Sequence, residues 1–297
     1  MQPAPTAVQP EMAALLHGYS IELNPREPKT IDTAAERLDR GTEVYLTWVP
    51  QAEPMELIAP AASLRRAGLI PVPHIGARHV KSASQLERLA LRLATEAGVD
   101  RVLIIGGDRD RPAGPFDSSL AVMQSGIFGN AGIHRIAVGG FPEGHPNISG
   151  TVLEESLIAK ANFARTAGLE FSIVTQFCFE AEPIVVWLGR LRAQGIGVPV
   201  RIGLAGPASL STLLRYAVRC GVGNSLKVLA EKPSFARLLI EKGPEPILRG
   251  IAAAAAPSST SALPLGIASF HFFVFGGFSK TMDWIDSLRA HPSQPPP

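Results

Sequence analysis

From Ser20 to Leu288 short apolar runs alternate with stretches of helical period, and the alternation recurs eight times. Strands are expected at Ser20–Leu23, Val44–Val49, Ile70–Ile75, Val102–Ile105, Ile136–Val138, Phe171–Phe179, Val198–Leu204 and Gly266–Phe275. Helical spacing is expected around Thr30–Asp39, Met55–Ala67, Ser84–Ala97, Ser118–Met123, Leu153–Ala167, Ile184–Ala193 and Ser209–Cys220. A longer helical region, broken by Pro233 and Pro244, covers roughly Ser225–Ala254, and a last helix covers Ser279–Leu288. Thr30, Asp32 and Ser209 are candidate N-caps, while Gly68, Gly98 and Gly168 stand where helices should stop. A run such as Val102–Ile105 has no polar side, as befits a parallel strand covered on both faces.

Two architectures satisfy this pattern. A doubly wound open sheet would want a Gly-rich dinucleotide turn after an early strand. Here the first strand ends in Asn24-Pro25, and Gly106-Gly107-Asp108 is no G-x-G-x-x-G. A closed (β/α)8 barrel is favoured, because six polar residues lie where strands run out: Glu22, Thr47, His74, Asp108, His145 and Gln176. Such a barrel gathers reactive groups at the carboxyl ends of its strands. The expected layout is a flexible arm over 1–17, one catalytic barrel domain over 18–290 and a disordered tail over 291–297.

Composition narrows the function classes. With 46% hydrophobic residues a large core is available, and a net charge of +2 without long single-sign runs gives no warrant for nucleic-acid binding. No apolar run approaches the roughly 18 residues of a membrane span. The start, Met1-Gln-Pro-Ala-Pro-Thr-Ala, lacks the basic flank and apolar stretch of a signal peptide. Cys178 and Cys220 read as buried thiols of a reduced, cytoplasmic protein.

Among the polar residues, Glu22 interrupts an apolar strand. A buried carboxyl with a raised pKa is a natural general acid, and an ion pair with Arg26 is the structural alternative. Asp108 follows two glycines, where backbone can approach a ligand closely, although a turn or helix cap explains it as well. His74 and His145 can be metal ligands, but no His-x-His pair occurs, and His74 and His79 are five apart. No metal is expected. The strands carry no lysine for a Schiff base, and neither cysteine has a sequence partner for nucleophilic catalysis.

Five segments, taken in order from Tyr19 to Phe275, resemble methylenetetrahydrofolate reductases. Ser20-Ile-Glu-Leu-Asn-Pro25 is similar to that family's first strand, and Ile105-Gly-Gly-Asp108 to its Arg-Gly-Asp segment. Phe141-Pro-Glu-Gly-His-Pro146 is similar to Tyr-Pro-Glu-x-His-Pro, and Thr175-Gln-Phe-Cys-Phe179 to Thr-Gln-Phe-Phe-Phe. Phe270-His-Phe-Phe273 matches the last strand. The resemblance implies a (β/α)8 barrel that passes hydride from NADH or NADPH through FAD to 5,10-methylenetetrahydrofolate, an activity of one-carbon metabolism and methionine biosynthesis.

Carried over residue by residue, Glu22 would be the proton donor and Asp108 the anion beside the folate. Gln176 would hold the pterin, with Tyr216 and Thr212 also on the substrate. Thr47, Trp48, His74, Gly106, Gly107, Asp108, Phe141, His145 and Lys160 would line the flavin. The chain departs from the family at Trp48, at Gly76-Ala77, at Gly106 (often Arg) and at Gly276-Gly277 (Asn-Arg), so the flavin is expected to be loosely held or absent. Two alternatives stand beside a reductase: a folate-binding methyl-transfer or accessory protein without redox activity, and a metal-dependent barrel hydrolase. Whether the chain is a homo-oligomer is left open.

Overall fold

A computed structural model describes residues 8–48, 53–220, 243–256 and 265–290. Eight strands close into a parallel barrel in the order of the chain, the (β/α)8 architecture. They are β1 (Ser20–Leu23), β2 (Glu43–Leu46), β3 (Ile70–Gly76), β4 (Arg101–Ile105), β5 (Arg135–Gly140), β6 (Glu170–Thr175), β7 (Val200–Ala205) and β8 (Ile267–Phe273). The described residues divide into two compact units. One takes Ser20–Gly139 and Glu154–Ile173, and the other takes the rest.

In the first unit, β1 to β5 pair in parallel with unbroken register. Partners across a parallel ladder point to the same side, and sides alternate along each strand. One side carries Ile21, Leu23, Val44, Leu46, Ile75, Val102, Ile104, Ile136 and Val138, all but fully buried. Helix Ile58–Arg66 packs on β3 and on helix Ala83–Ala97. The latter begins at Ser82, whose hydroxyl accepts from the Gln85 amide, and ends at left-handed Gly98.

The opposite side mixes polar and apolar residues. At its amino-terminal level, Glu43, Arg101 and Arg135 open three strands and join with Asp100 in one ion network. Glu170, the first residue of β6, extends it through Arg135. Burial works to raise the Asp100 carboxyl, but the Arg101 hydrogen bond and the charges of Arg101 and Arg135 outweigh it and hold the pKa below its usual value. Two residues further along the same strands stand Tyr45, Leu103 and Ala137.

In the second unit β7 pairs with β8, with a shift at Val200/Arg201. The helix Val8–His17 packs on β8 and on helix Glu245–Ala255, burying Met12, Leu15 and Leu16. An arm over 1–17 was expected to be flexible, and residues 8–17 depart from that. The spacing Met12-x-x-Leu15-Leu16 is an apolar helical stripe that the surrounding prolines obscure. Tyr19 continues this packing, edge-on to Phe272 and beneath the Arg289 guanidinium.

Other boundaries also differ. The helix expected at Thr30–Asp39 runs Pro28–Arg37, with Pro28 opening it and Glu27 at the cap position, so neither Thr30 nor Asp32 caps it. The strand expected to reach Phe179 ends at Thr175. Within the long helical region the described residues begin at 243 and hold the helix Glu245–Ala255; 221–242, 49–52 and the tail 291–297 lie outside the described residues.

Candidate active site

Glu22 sits on β1 opposite Tyr45 of β2, and Tyr45 sits opposite Val72 of β3. His74, two residues beyond Val72, therefore shares their face. The Glu22 Oε2 lies 3.6 Å from His74 Nε2, with the side chains only 16% and 7% exposed. The Tyr45 ring meets the His74 ring edge-on at 5.9 Å, and its hydroxyl donates to Glu43. Burial raises the Glu22 pKa above its ordinary 4.5, and the nearby His74 pulls it back only in part. The result is a carboxyl that holds its proton to higher pH than a solvated glutamic acid does, the direction a general acid needs. The alternative pairing with Arg26 is not made: Arg26 holds Glu56 bidentately at 2.7 and 2.9 Å.

Asp108 lies on the loop after β4 and is 69% exposed. It caps no helix. Its Oδ1 is 2.6 Å from Nε2 of His79, which is 13% exposed and ends a short 3-10 turn, Ala77–His79, directly after β3. Gly107, at φ +89, turns the chain into this contact, and a Cβ there would come within 2.8 Å of the His79 ring. A Cβ on Gly76 would come within 3.1 Å of the same ring, and Trp48 stacks obliquely on it at 5.9 Å. Beside Gly106 the space belongs to the Arg78 guanidinium, 3.3 Å from where a Cβ would be.

These contacts bear on a flavin. The glycines at 76, 106 and 107 are backed by the chain's own His79 and Arg78, so they form no open cradle for a ligand. Thr47, Trp48 and His74 cluster near the ends of β2 and β3, where Thr47 donates its amide to the Leu23 carbonyl. Lys160, on helix Gly150–Thr166, is half-buried, and burial lowers its pKa from 10.5 to about 8. A cation so poorly hydrated gains by meeting an anion such as a phosphate.

In the other unit, Gln176 follows β6 immediately. Its amide N–H donates to the Gly140 carbonyl, and its side-chain Oε1 accepts from the Phe177 N–H at 3.1 Å. Phe141 and His145 pack edge-to-face at 5.2 Å, and His145 Nδ1 accepts from the Asn147 amide. Tyr216 stacks on Phe275 with centroids 4.0 Å apart, and Phe275 continues to Phe273 and Phe177 as an aromatic ladder. Thr212 lies in the first turn of helix Leu210–Arg219, where its amide and hydroxyl oxygen both bond the Ser209 cap. Gly276 is fixed by space, since any side chain would strike the Pro207 carbonyl.

Cys178 is buried, and burial followed by the adjacent Glu143 pushes its thiol pKa well above the ordinary value, so it is no thiolate nucleophile. Cys220 is only half-buried, against the expectation for both thiols. Sequence reasoning missed one residue of weight, His79. Its only signal was a histidine five residues past His74, just after a strand. No helix among the described residues is long and apolar enough to cross a membrane. No protein-family model matches the chain.

Proposed function

We propose that the chain is a reductase that takes hydride from NADH or NADPH to convert 5,10-methylenetetrahydrofolate to 5-methyltetrahydrofolate. The observation that carries this reading is the buried Glu22 carboxyl, whose pKa its surroundings raise, next to His74 on the same side of the barrel strands. The methylene carbon of the substrate is bound to two nitrogens, and it accepts hydride only after one C–N bond opens. Glu22 gives its proton to the leaving nitrogen as that bond breaks. The remaining nitrogen shares its electron pair with the carbon as an iminium cation, and the Asp108 carboxylate stabilises that charge. Hydride then adds to the carbon, leaving a methyl group, and Glu22 regains a proton from solvent.

Gln176 suits the mixed donor and acceptor edge of a pterin. With Oε1 held by the Phe177 amide, its NH2 group presents donors of known orientation. The ladder of Tyr216, Phe275 and Phe273 offers apolar faces of the kind that flat heterocycles stack on. FAD, if bound, would be held by Thr47, Trp48, His74 and Lys160 and would relay hydride between nicotinamide and folate. No step assigned to Glu22, Asp108 or Gln176 depends on it.

The test is an absorption spectrum of the purified protein followed by anaerobic NADH titration with and without methylenetetrahydrofolate. A reductase consumes NADH in proportion to the folate supplied; a yellow protein that NADH bleaches adds flavin to the account. Folate binding without NADH oxidation overturns the reading in favour of a methyl-transfer or accessory protein.

A further inference from the structure

Asp108 is an exposed carboxylate on a loop, and such a side chain ordinarily samples several rotamers. Here both the loop and the carboxylate are tied to one three-residue turn. Arg78 holds the loop backbone: its amide donates to the Gly106 carbonyl, Nε to Asp117 O and Nη1 to Arg109 O, while its own carbonyl accepts from the Ala113 amide. His79, the next residue, holds the carboxylate through Oδ1. Among the described residues Oδ2 takes no hydrogen bond. The imidazole is itself confined between Gly76, Gly107 and Trp48, where either glycine would displace the ring if it carried a Cβ.

We propose that His79 is the positioning residue of Asp108, fixing one carboxylate oxygen and presenting the other to the bound substrate, and that Trp48, Gly76 and Gly107 are the residue types they are because they house this imidazole. The inference rests on the reductase reading for what Asp108 faces, but the His79–Asp108 pair stands on the geometry alone. Three positions at which the chain departs from, or matches, its resemblance thereby become one coupled unit. A substitution at any of them is felt at Asp108 through His79.

The experiment compares His79→Ala, His79→Gln, Asp108→Ala and the double variant His79→Ala/Asp108→Ala in NADH-dependent folate reduction. His79→Ala is expected to lower kcat about tenfold, with KM for NADH unchanged, because misplacing a group that acts on the transition state costs up to about a hundredfold. His79→Gln, which keeps a donor within reach, recovers most of that loss. In the Asp108→Ala background His79→Ala costs nothing more, and independent, additive losses overturn the proposal. Should the unaltered protein show no turnover, the reductase reading fails by itself. The pair is then judged from the His79 imidazole nitrogen resonances: displacement in Asp108→Asn supports it, and unchanged resonances overturn it.

Discussion

Glu22 and His74 approach to 3.6 Å, one from β1 and the other from β3, the two strands that flank β2. Two effects of opposite sign meet on the carboxyl: dehydration, which is the larger and favours the neutral acid, and the histidine, which favours the anion. Activity that requires protonated Glu22 falls as pH rises through the raised pKa. Replacing His74 with Asn removes the effect that lowers it, so the basic limb of the pH–kcat profile should move to higher pH. A limb that moves to lower pH contradicts this account of the pair.

Lys160 gives a second pH dependence, on stability. Its pKa is lowered from 10.5 to about 8 by burial, so the folded protein bears the cost of a dehydrated ammonium below about pH 8. Between about 8 and 10.5 the unfolded chain binds the extra proton, and stability contributed at this position rises with pH. Lys160→Met should therefore raise the melting temperature at pH 7, with an advantage that shrinks toward pH 10.5. An advantage that grows with pH excludes burial as the cause.

The ion network at the amino-terminal level of the strands is a structural device. Arg101 joins Glu43 at 2.5 Å and Asp100 at 3.0 Å, with the Arg101 and Glu43 side chains 19% and 12% exposed. Arg101→Leu takes the guanidinium from the largely buried Glu43 carboxylate, while Asp100 keeps Arg135, and should destabilise by about 2–4 kcal/mol in urea denaturation, since a partly buried pair loses somewhat less than a fully buried one. Changing Glu43 to Leu in the same protein should return part of that loss. A double variant as unstable as the sum of the singles shows that the two residues are not coupled.

Much of the barrel was legible because its helix-facing side is continuous aliphatic chain. The first strand was expected near Ser20–Leu23, where it lies, since Ile21 and Leu23 flank the charged Glu22. The errors came where composition imitates another element. Phe177, Cys178 and Phe179 look like strand, yet Gln176 turns its own side chain onto the Phe177 amide, and β6 stops at Thr175. Helix Val8–His17 hid behind prolines that precede its apolar stripe. At the site, Glu22 and Asp108 stood out as acids at strand ends, whereas His79 did not. Only the tight turn Ala77–His79 carries its ring back to the loop after β4, and no spacing in the sequence encodes that return.

The most direct measurement is the yield of 5-methyltetrahydrofolate per NADH oxidised under anaerobic conditions, in the unaltered protein and in Glu22→Gln. The unaltered protein should give one methyl product for each NADH. Glu22→Gln should bind NADH as before while product formation falls by about 10²–10⁴, the usual worth of a positioned general acid. Equal product yields and rates from the two proteins would contradict the assignment of Glu22 as the proton donor.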